Sequence, residues 1–296
     1  MSRLLPVALL ALCTVPGLAA QDPLVMRITP VAPGAFVISG FTNGNLLAVV
    51  GQRSVVLVDG QTDKRVALAD SALRTVTALP VKLVISTHYH TDHIGGNPHW
   101  RARGATIVGH AALAPEARKD TTITELEWHR TPAVPEALPD RIFDDSLTLN
   151  QDGEPVILIH PGASHTSGDA IVRFPARNIV HTGDILEREA PPFVDWWAGG
   201  SLDGMLRGVD KVLALTDDKT IIVPGHGTPT DRNGLLAYRG MLEAARERIG
   251  PPAAAGASAE SIADAQPLKE FEEMLGGERK ARQFVVQVAR GLGGRR

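Results

Sequence analysis

The stretch Ser86-Thr87-His88-Tyr89-His90-Thr91-Asp92-His93 places four side chains that can bind a metal within six residues. It follows the apolar run from Val81 to Ile85, whose length and β-branched residues are typical of a strand. His88 and His90 are two residues apart, so extended backbone points both imidazoles to the same side, where they can hold one ion. Asp92 and His93 follow and face a neighbouring position. The stretch predicts a metal site at the carboxyl end of a strand in an α/β sheet.

Three further candidate ligands lie elsewhere in the chain, each just after a short apolar run. They are His165 after residues 156–159, Asp184 after residues 179–180, and His226 after residues 221–223. Taken singly, each is more typical of a turn or of a surface histidine. Together with the first stretch they put metal-binding side chains at four strand ends, and this recurrence favours one shared site.

The ordered motif resembles that of the metallo-β-lactamase superfamily, which begins with His-x-His-x-Asp-His and continues with ligands in the order His, Asp or Cys, His. The similarity covers about residues 26–249 and implies an α/β fold, a four-layer αββα sandwich. It implies one metal held by His88, His90 and His165 and a second held by Asp92, His93 and His226, with Asp184 bridging the two. Asp92 would also be catalytic, because it would orient a metal-bridging hydroxide that attacks the substrate.

Asp59 follows the apolar run from Val55 to Val58. The resemblance assigns it the role of orienting a ligand histidine. The residue pattern by itself leaves a helix cap after the strand as an open alternative.

The residue at position 184 indicates which branch of the family the chain resembles. The best-known zinc β-lactamases have a cysteine there, whereas the only cysteine of this chain is Cys13. An aspartate resembles the glyoxalase II, lactonase and phosphodiesterase branches. We therefore expect a hydrolase that binds two Zn²⁺ ions and attacks an ester, thioester, lactone or amide-like bond of a small molecule. A β-lactamase proper is one alternative, and a mononuclear iron enzyme like the persulfide dioxygenases is another. A diiron redox centre is disfavoured, because those enzymes carry Glu where this chain has His90.

Composition and patterning fit one large α/β domain, since 44% of the 296 residues are hydrophobic. Strand signals cover residues 27–30, 36–39, 46–50, 55–58, 147–149, 156–159, 170–174 and 179–181, and helical signals cover residues 64–78, 202–215 and 234–249. Residues 250–266 begin with a Pro, Ala and Gly-rich segment that predicts a linker. Residues 267–296 predict a helical appendage, and their charges indicate a solvated face rather than an interaction surface.

The N-terminus has the pattern of a secretory signal peptide over residues 1–20, with an apolar stretch at residues 4–12 and cleavage expected near residues 19–20. This predicts a periplasmic or secreted protein without stable membrane insertion after cleavage. A transmembrane anchor would need a longer apolar stretch, and lipid attachment at Cys13 normally requires a smaller residue than Leu12. The formal net charge of −3 offers no broad cationic face, so we expect no nucleic-acid partner. The oligomeric state stays open.

Candidate substrate-contacting residues lie in two loops. Trp196 and Trp197 are in the loop between Asp184 and the next predicted helix, and they are predicted to wall an apolar pocket. Asn43 and Asn45 are weaker candidates for polar contacts. Ser167 is not expected to act as a nucleophile, because no Ser-His-Asp arrangement accompanies it. The histidines that match no ligand position are His99, His110, His129, His160 and His181.

Overall fold

The computed structural model describes residues 25–40, 44–124 and 128–293, so the predicted signal segment and Asn43 lie outside the described residues. The strands are β1 (Arg27–Ala32), β2 (Ala35–Ser39), β3 (Leu46–Val50), β4 (Val55–Val58), β5 (Val81–Ser86), β6 (Thr106–His110), β7 (Thr121–Ile123), β8 (Trp128–Arg130), β9 (Arg141–Phe143), β10 (Ser146–Gln151), β11 (Glu154–Ile159), β12 (Ile171–Phe174), β13 (Ile179–His181) and β14 (Ile221–Val223). The helices are α1 (Val66–Arg74), α2 (Thr91–Ile94), α3 (Asn97–Arg101), α4 (Leu113–Ala117), α5 (Leu202–Ala214), α6 (Arg232–Ala254), α7 (Ala259–Asp264) and α8 (Glu278–Gly293).

Two sheets carry the fold, and β7 and β8 pair separately as a hairpin. The first sheet has the order β1-β2-β3-β4-β5-β6-β9, and the second has the order β10-β11-β12-β13-β14. Strands β4, β5, β6 and β9 run parallel to one another, and β13 runs parallel to β14. The carboxyl ends of parallel strands share one edge of a sheet, and α/β proteins place their sites outside such an edge. The loops after β4, β5, β13 and β14 are positioned in this way.

Alternating side chains divide the apolar residues of each strand between two faces. On β3, Leu46 and Ala48 belong to a buried cluster with residues of α1 and α3, which therefore cover the outer face of the first sheet. Leu47 and Val49 belong instead to the cluster shared with β11 and β12 of the second sheet. A third cluster joins β12, β13 and β14 to buried residues of α5, α6, α7 and α8. These three apolar layers separate four structural layers and confirm the predicted αββα sandwich.

The C-terminal part differs from the predicted linker and appendage. Helix α6 continues to Ala254, through Pro251 and Pro252, and α7 also lies within residues 250–266. The end of α6 and the whole of α8, including the buried Phe284, pack in the same cluster as α5. Burial of this face outweighs the poor helix propensity of proline. Residues 250–266 therefore contain helical structure, and the described part of residues 267–296 is helical, as predicted, and packs on the domain.

Candidate metal centre

The seven candidate ligands lie together at the edge where both sheets end. The loop after β5 and the first turn of α2 carry the four ligands of residues 88–93. His165 lies between β11 and β12, Asp184 follows β13, and His226 follows β14. Each strand delivers its ligand within a few residues of its last buried position, which is why apolar runs followed by His or Asp were informative in the sequence.

The donor atoms form two adjacent groups. The first donor group consists of His88, His90, His165 and Asp184, and the second donor group consists of Asp92, His93 and His226. Within each group the donor atoms all lie within 4.8 Å of one another. In the second donor group, Asp92 Oδ2 is 3.1 Å from His226 Nε2 and 3.5 Å from His93 Nε2. Each group therefore converges closely enough to surround one ion.

Asp184 lies between the two groups. Its Oδ2 atom is 3.6 Å from His88 Nε2 and 3.7 Å from His165 Nε2. The same carboxylate faces the second group, with Oδ1 3.3 Å from His93 Nε2 and Oδ2 3.4 Å from His226 Nε2. One buried carboxylate thus reaches donors of both groups, which is the placement that a bridging ligand needs.

Two glycines make room for this carboxylate. A Cβ atom at Gly225 would lie 1.8 Å from Asp184 Oδ1, a distance that no side chain could tolerate. Gly183 has a positive φ of 54°, and a Cβ there would lie 2.8 Å from Thr87 Cβ. The sequences Gly183-Asp184 and Gly225-His226 therefore place glycine where the two ligand loops approach each other.

Asp59 fixes two of the histidines. Its carboxylate accepts hydrogen bonds from Thr87 N at 2.7 Å and Thr87 Oγ1 at 2.9 Å, and His93 Nδ1 donates to it at 2.8 Å. Because the Thr87 hydroxyl donates to Asp59, it accepts from His88 Nδ1 at 3.0 Å. Both imidazoles therefore turn Nε2 toward the site. The alternative of a helix cap is wrong, since α1 has Arg65 at its N-cap position.

The other two histidines of the first donor group are held by loop residues that the sequence did not single out. His90 Nε2 donates to Asp195 Oδ2 at 3.0 Å, and His165 Nδ1 donates to the carbonyl oxygen of Phe193 at 2.6 Å. The remaining nitrogens, His90 Nδ1 and His165 Nε2, face each other at 3.1 Å. Asp195 is fully buried. No local signal marks it, because only the tertiary path of its loop brings it to His90.

The interior of the site has more acceptors than donors. His88 Nε2, His93 Nε2 and Asp184 Oδ1 are buried and have no hydrogen-bond partner among the described residues. The facing nitrogens of His90 and His165 add two more lone pairs. Buried acceptors without donors are costly, and cations are their usual partners. Imidazole nitrogens with carboxylate oxygens are a donor set that suits Zn²⁺, so the residues present fit transition-metal ions.

The charges of the site favour the same interpretation. Burial, together with the neighbouring His93, holds the pKa of His88 well below its ordinary value, and burial lowers the pKa of His165 to about 4. Both are neutral at pH 7, which is the form that binds a metal. Burial opposes ionisation of Asp184, but His93 and His226 outweigh it and hold the pKa of that carboxyl well below its usual range. The first donor group therefore presents the neutral nitrogens of His88 and His165 beside a buried carboxylate. In the second donor group, burial is outweighed by the charge of Asp184, which raises the pKa of His93 and His226 well above the ordinary value, so these two imidazoles would release a proton when they bind a metal.

Of the residues predicted to contact substrate, Trp196 and Trp197 pack near helix α8, whereas Asn45 lies beside His226. The ring of Trp196 packs against Gly291 of α8, where a Cβ would lie 2.6 Å from the ring. Trp197 packs on Trp196 with ring centroids 4.3 Å apart. The Asn45 amide is used internally, because it donates to carbonyl oxygens on both sides of His226, at 3.0 and 2.8 Å. The expected substrate contact by Asn45 is therefore wrong.

Two aromatic rings that the sequence did not single out lie beside the first donor group. The ring centroid of Phe193 is 5.8 Å, and that of Trp128 is 6.2 Å, from the centroid of His90. Both side chains are half-buried. Trp128 comes from the β7–β8 hairpin, whose approach to the site depends on the tertiary fold.

Asp169 shapes the loop that presents His165. It accepts hydrogen bonds from Ser164 N at 3.2 Å and from Thr166 N at 2.9 Å. The Thr166 hydroxyl also donates to it at 2.7 Å, and burial raises the pKa of Asp169 to about 7. Thr166 is therefore engaged in holding the loop.

Comparisons with known proteins agree with the fold and the motif. Residues 39–226 match the family model described as the metallo-beta-lactamase superfamily. The chain is 24% identical to the metallo-beta-lactamase type 2 of Bacteroides fragilis, over 64% of this chain and 70% of that protein. It is 30% identical to an uncharacterized protein of Mycobacterium tuberculosis, over 54% of this chain and 75% of that protein. The crystal structure of the DIM-1 metallo-beta-lactamase has the same fold, with a TM-score of 0.59 at 19% identity, covering 75% of this chain and 98% of that one.

The matched segment includes every candidate ligand and more than half of the chain. The chain belongs to the metallo-beta-lactamase superfamily of metal-dependent hydrolases.

Proposed function

We propose that the protein is a binuclear zinc-dependent hydrolase in which each donor group holds one ion. The observation that supports this most directly is the position of Asp184, whose carboxylate lies 3.3 to 3.7 Å from histidines of both groups. A single mononuclear site would leave one of the two groups without a cation. Asp59 and Asp195 keep the histidine rings oriented, which is the usual role of carboxylates behind metal ligands.

When bound, the two zinc ions would lower the pKa of a water molecule toward 7 and polarise the bond under attack. Asp92 is the proposed catalytic residue of the chain itself. Its side chain is 26% exposed, against 5% for Asp184, so substrate and water can reach it. Asp92 would hold the second ion together with His93 and His226 and would orient the attacking hydroxide.

The proposed substrates are small molecules with an ester, thioester, lactone or amide-like bond. The aspartate at position 184 supports this choice. A β-lactamase is the second candidate, because relatives named metallo-beta-lactamase type 2 align over most of their length at 24 to 26% identity. In this chain both activities would use the same donor groups, so the substrate pocket would decide between them.

We propose that the pocket is walled by aromatic rings. Phe193 and Trp128 lie beside His90, so an apolar substituent of the substrate would pack there. Trp197 and Asn43 stay proposed pocket residues. Trp196 supports the loop through its contact with α8 and is the weaker candidate for direct contact.

Elemental analysis combined with a substrate panel tests the proposal. We expect two zinc ions per chain and turnover of at least one lactone, thioester, ester or β-lactam substrate, lost on chelation and restored by Zn²⁺. One iron per chain without zinc, with oxygen consumption on persulfides, would replace hydrolysis with oxygenation. Metal binding without turnover of any of these bond classes would contradict the proposed reaction.

We also propose that the protein is exported to the periplasm or secreted. No helix among the described residues combines the length and apolar character needed to cross a membrane. Mass spectrometry of the mature protein is expected to find a start near Ala20 or Gln21. An intact Met1 in the cytosolic fraction would contradict export.

A further inference from the structure

A chain of buried polar groups connects Arg130, at the end of β8, to the first donor group. Arg130 is 5% exposed, Tyr89 is 3% exposed and Asp195 is fully buried. Arg130 Nη1 donates to the Tyr89 hydroxyl, the hydroxyl donates to Asp195 Oδ2, and His90 Nε2 donates to the same oxygen at 3.0 Å. The guanidinium also lies over the tyrosine ring, 4.7 Å from its centroid. A charged group that belongs to neither donor group is therefore buried at one end of a hydrogen-bond chain that stops at a proposed ligand.

The chemistry of the groups fixes the direction of every hydrogen bond. A guanidinium can only donate, so the Tyr89 oxygen must accept from Arg130. The single hydroxyl proton of Tyr89 is then available only to Asp195. An ionised carboxylate can only accept, so His90 carries its proton on Nε2. The lone pair of His90 Nδ1 is left pointing at the site, toward His165 Nε2 at 3.1 Å.

We propose that Arg130 is a positioning residue of the metal centre, which acts through Tyr89 and Asp195 to hold His90 in the tautomer that presents Nδ1 to the first donor group. This inference rests on the proposed metal-binding function. It adds a residue that orients a ligand histidine without binding the metal itself. Without the guanidinium, the Tyr89 hydroxyl loses the donor that fixes its oxygen, so its hydrogen bond to Asp195 and the position of that carboxylate are held less firmly. The Asp195 oxygen that accepts the hydrogen bond from His90 Nε2 is then no longer held in one position.

The hydrogen bonds from Arg130 to His90 can be interrupted without disordering the loop that carries Asp195. Asp195 Oδ1 accepts separately from Ala198 N at 3.1 Å, and the Asp195 backbone N–H donates to the carbonyl oxygen of His165 at 3.1 Å. These bonds hold the residue when its Oδ2 partners change. Effects of Arg130 substitutions should therefore appear at His90 and in the first donor group, and should spare the second.

The first test reads the tautomer in the metal-free protein. Histidine labelled with ¹⁵N is incorporated, and the imidazole nitrogens are recorded at pH 8 in wild type and in the variants Arg130→Met, Arg130→Lys and Tyr89→Phe. We expect His90 of the wild type in the Nε2–H form. The Met and Phe variants should show a tautomer mixture or faster exchange of that proton, and the Lys variant should keep the wild-type signal in large part, because an ammonium can still donate to Tyr89.

The second test titrates the metal-free protein with Co²⁺ and follows its absorption, with Zn²⁺ in competition. Arg130→Met should weaken binding to the first donor group by about tenfold or more and leave the second unchanged. Arg177→Met is the matched control, because Arg177 also makes hydrogen bonds and an ion pair with neighbouring elements, to the carbonyl oxygens of Pro33 and Val50 and to Glu154, but it lies just after β12, away from the site. It should change neither affinity. The double variant Arg130→Met with Tyr89→Phe should bind no more weakly than the worse single variant, since both break one chain.

Two results would overturn the inference. One is a wild-type tautomer of His90 in Arg130→Met together with unchanged metal affinity. The other is an equal loss at both donor groups matched by Arg177→Met, which would mark Arg130 as a general stabiliser. A protein that binds neither metal would refute the proposed function, and the tautomer measurement would still decide whether Arg130 positions His90.

Discussion

Asp184 is the residue on which both donor groups depend. Replacing it with Asn keeps the shape and removes the negative charge, so two dications held side by side would repel each other with less compensation. We expect Asp184→Asn to lose most of its bound second metal and to lower kcat by about a hundredfold or more. Metal content after dialysis and steady-state rates measure both effects.

Ser167→Ala is the comparison for that variant, because Ser167 lies in a ligand loop without belonging to either donor group. It should keep both metals and nearly full activity. If the serine variant were inactive with its metals retained while Asp184→Asn stayed active, a serine nucleophile would replace the metal-dependent mechanism.

Gly225 is a second residue with a specific steric task. A Cβ there would meet Asp184 Oδ1 at 1.8 Å and the Gly183 carbonyl carbon at 2.7 Å. Gly225→Ala should therefore displace the carboxylate, weaken metal binding and destabilise the fold by about 2 kcal/mol. At Gly240, in α6, an added Cβ meets no described atom within 4 Å. Gly240→Ala should stabilise by up to about 1 kcal/mol. Urea denaturation of both metal-free variants would show opposite shifts, and equal shifts would contradict the steric argument.

His110 provides a pH effect away from the ligands. Burial and the stacked ring of His160, 3.8 Å away, lower the pKa of His110 to about 4. In the unfolded chain its pKa is near 6.5, so between pH 6.5 and 4 the unfolded state binds the extra proton and stability falls as pH falls, by at most about 1.4 kcal/mol per pH unit. We expect His110→Gln to be less stable than wild type at pH 7 and to approach it at pH 5. Urea denaturation of the metal-free proteins measures this, and a constant gap would contradict it.

Helix α8 is predicted to behave as an integral layer of the domain. Phe284 is 1% exposed, within the cluster that also contains residues of α5 and α6. Phe284→Ala should lower the free energy of unfolding by about 3 to 5 kcal/mol. The exposed neighbour Gln283 should tolerate alanine within about 0.5 kcal/mol. A small effect of Phe284→Ala would mean that α8 is dispensable, as a true appendage would be.

Strands and ligands were predictable wherever a local pattern carried the information. The run before His88 became β5, and the region from Leu202 became α5, because periodicity and burial agree there. The αββα order followed from the same alternation and from the resemblance. What failed depends on tertiary packing: α6 runs through two prolines because its far end is buried, and Asp195 matters only because its loop returns to His90. The β7–β8 hairpin, which brings Arg130 and Trp128 to the site, had no signal of its own.

At the scale of the whole molecule, the proposed metal centre connects the two sheets. Ligands follow β5 in the first sheet and β13 and β14 in the second. Ions that bind only the folded protein stabilise it by mass action, by about 2.7 kcal/mol at a hundredfold excess over the Kd. We expect a chelator to lower Tm and Zn²⁺ to restore it, as scanning calorimetry would show. If Tm did not change on chelation although the bound metal was removed, the site would not link the sheets energetically.

The order of the ligands along the chain also sets an order of events in time. The last donor along the chain, His226, follows the last strand of the second sheet. The second donor group is therefore incomplete until β14 has paired with β13, both during synthesis and during refolding. Such pairing between distant segments is slow compared with local helix formation. We therefore expect metal acquisition to be a late step, completed only in chains in which β14 has paired with β13.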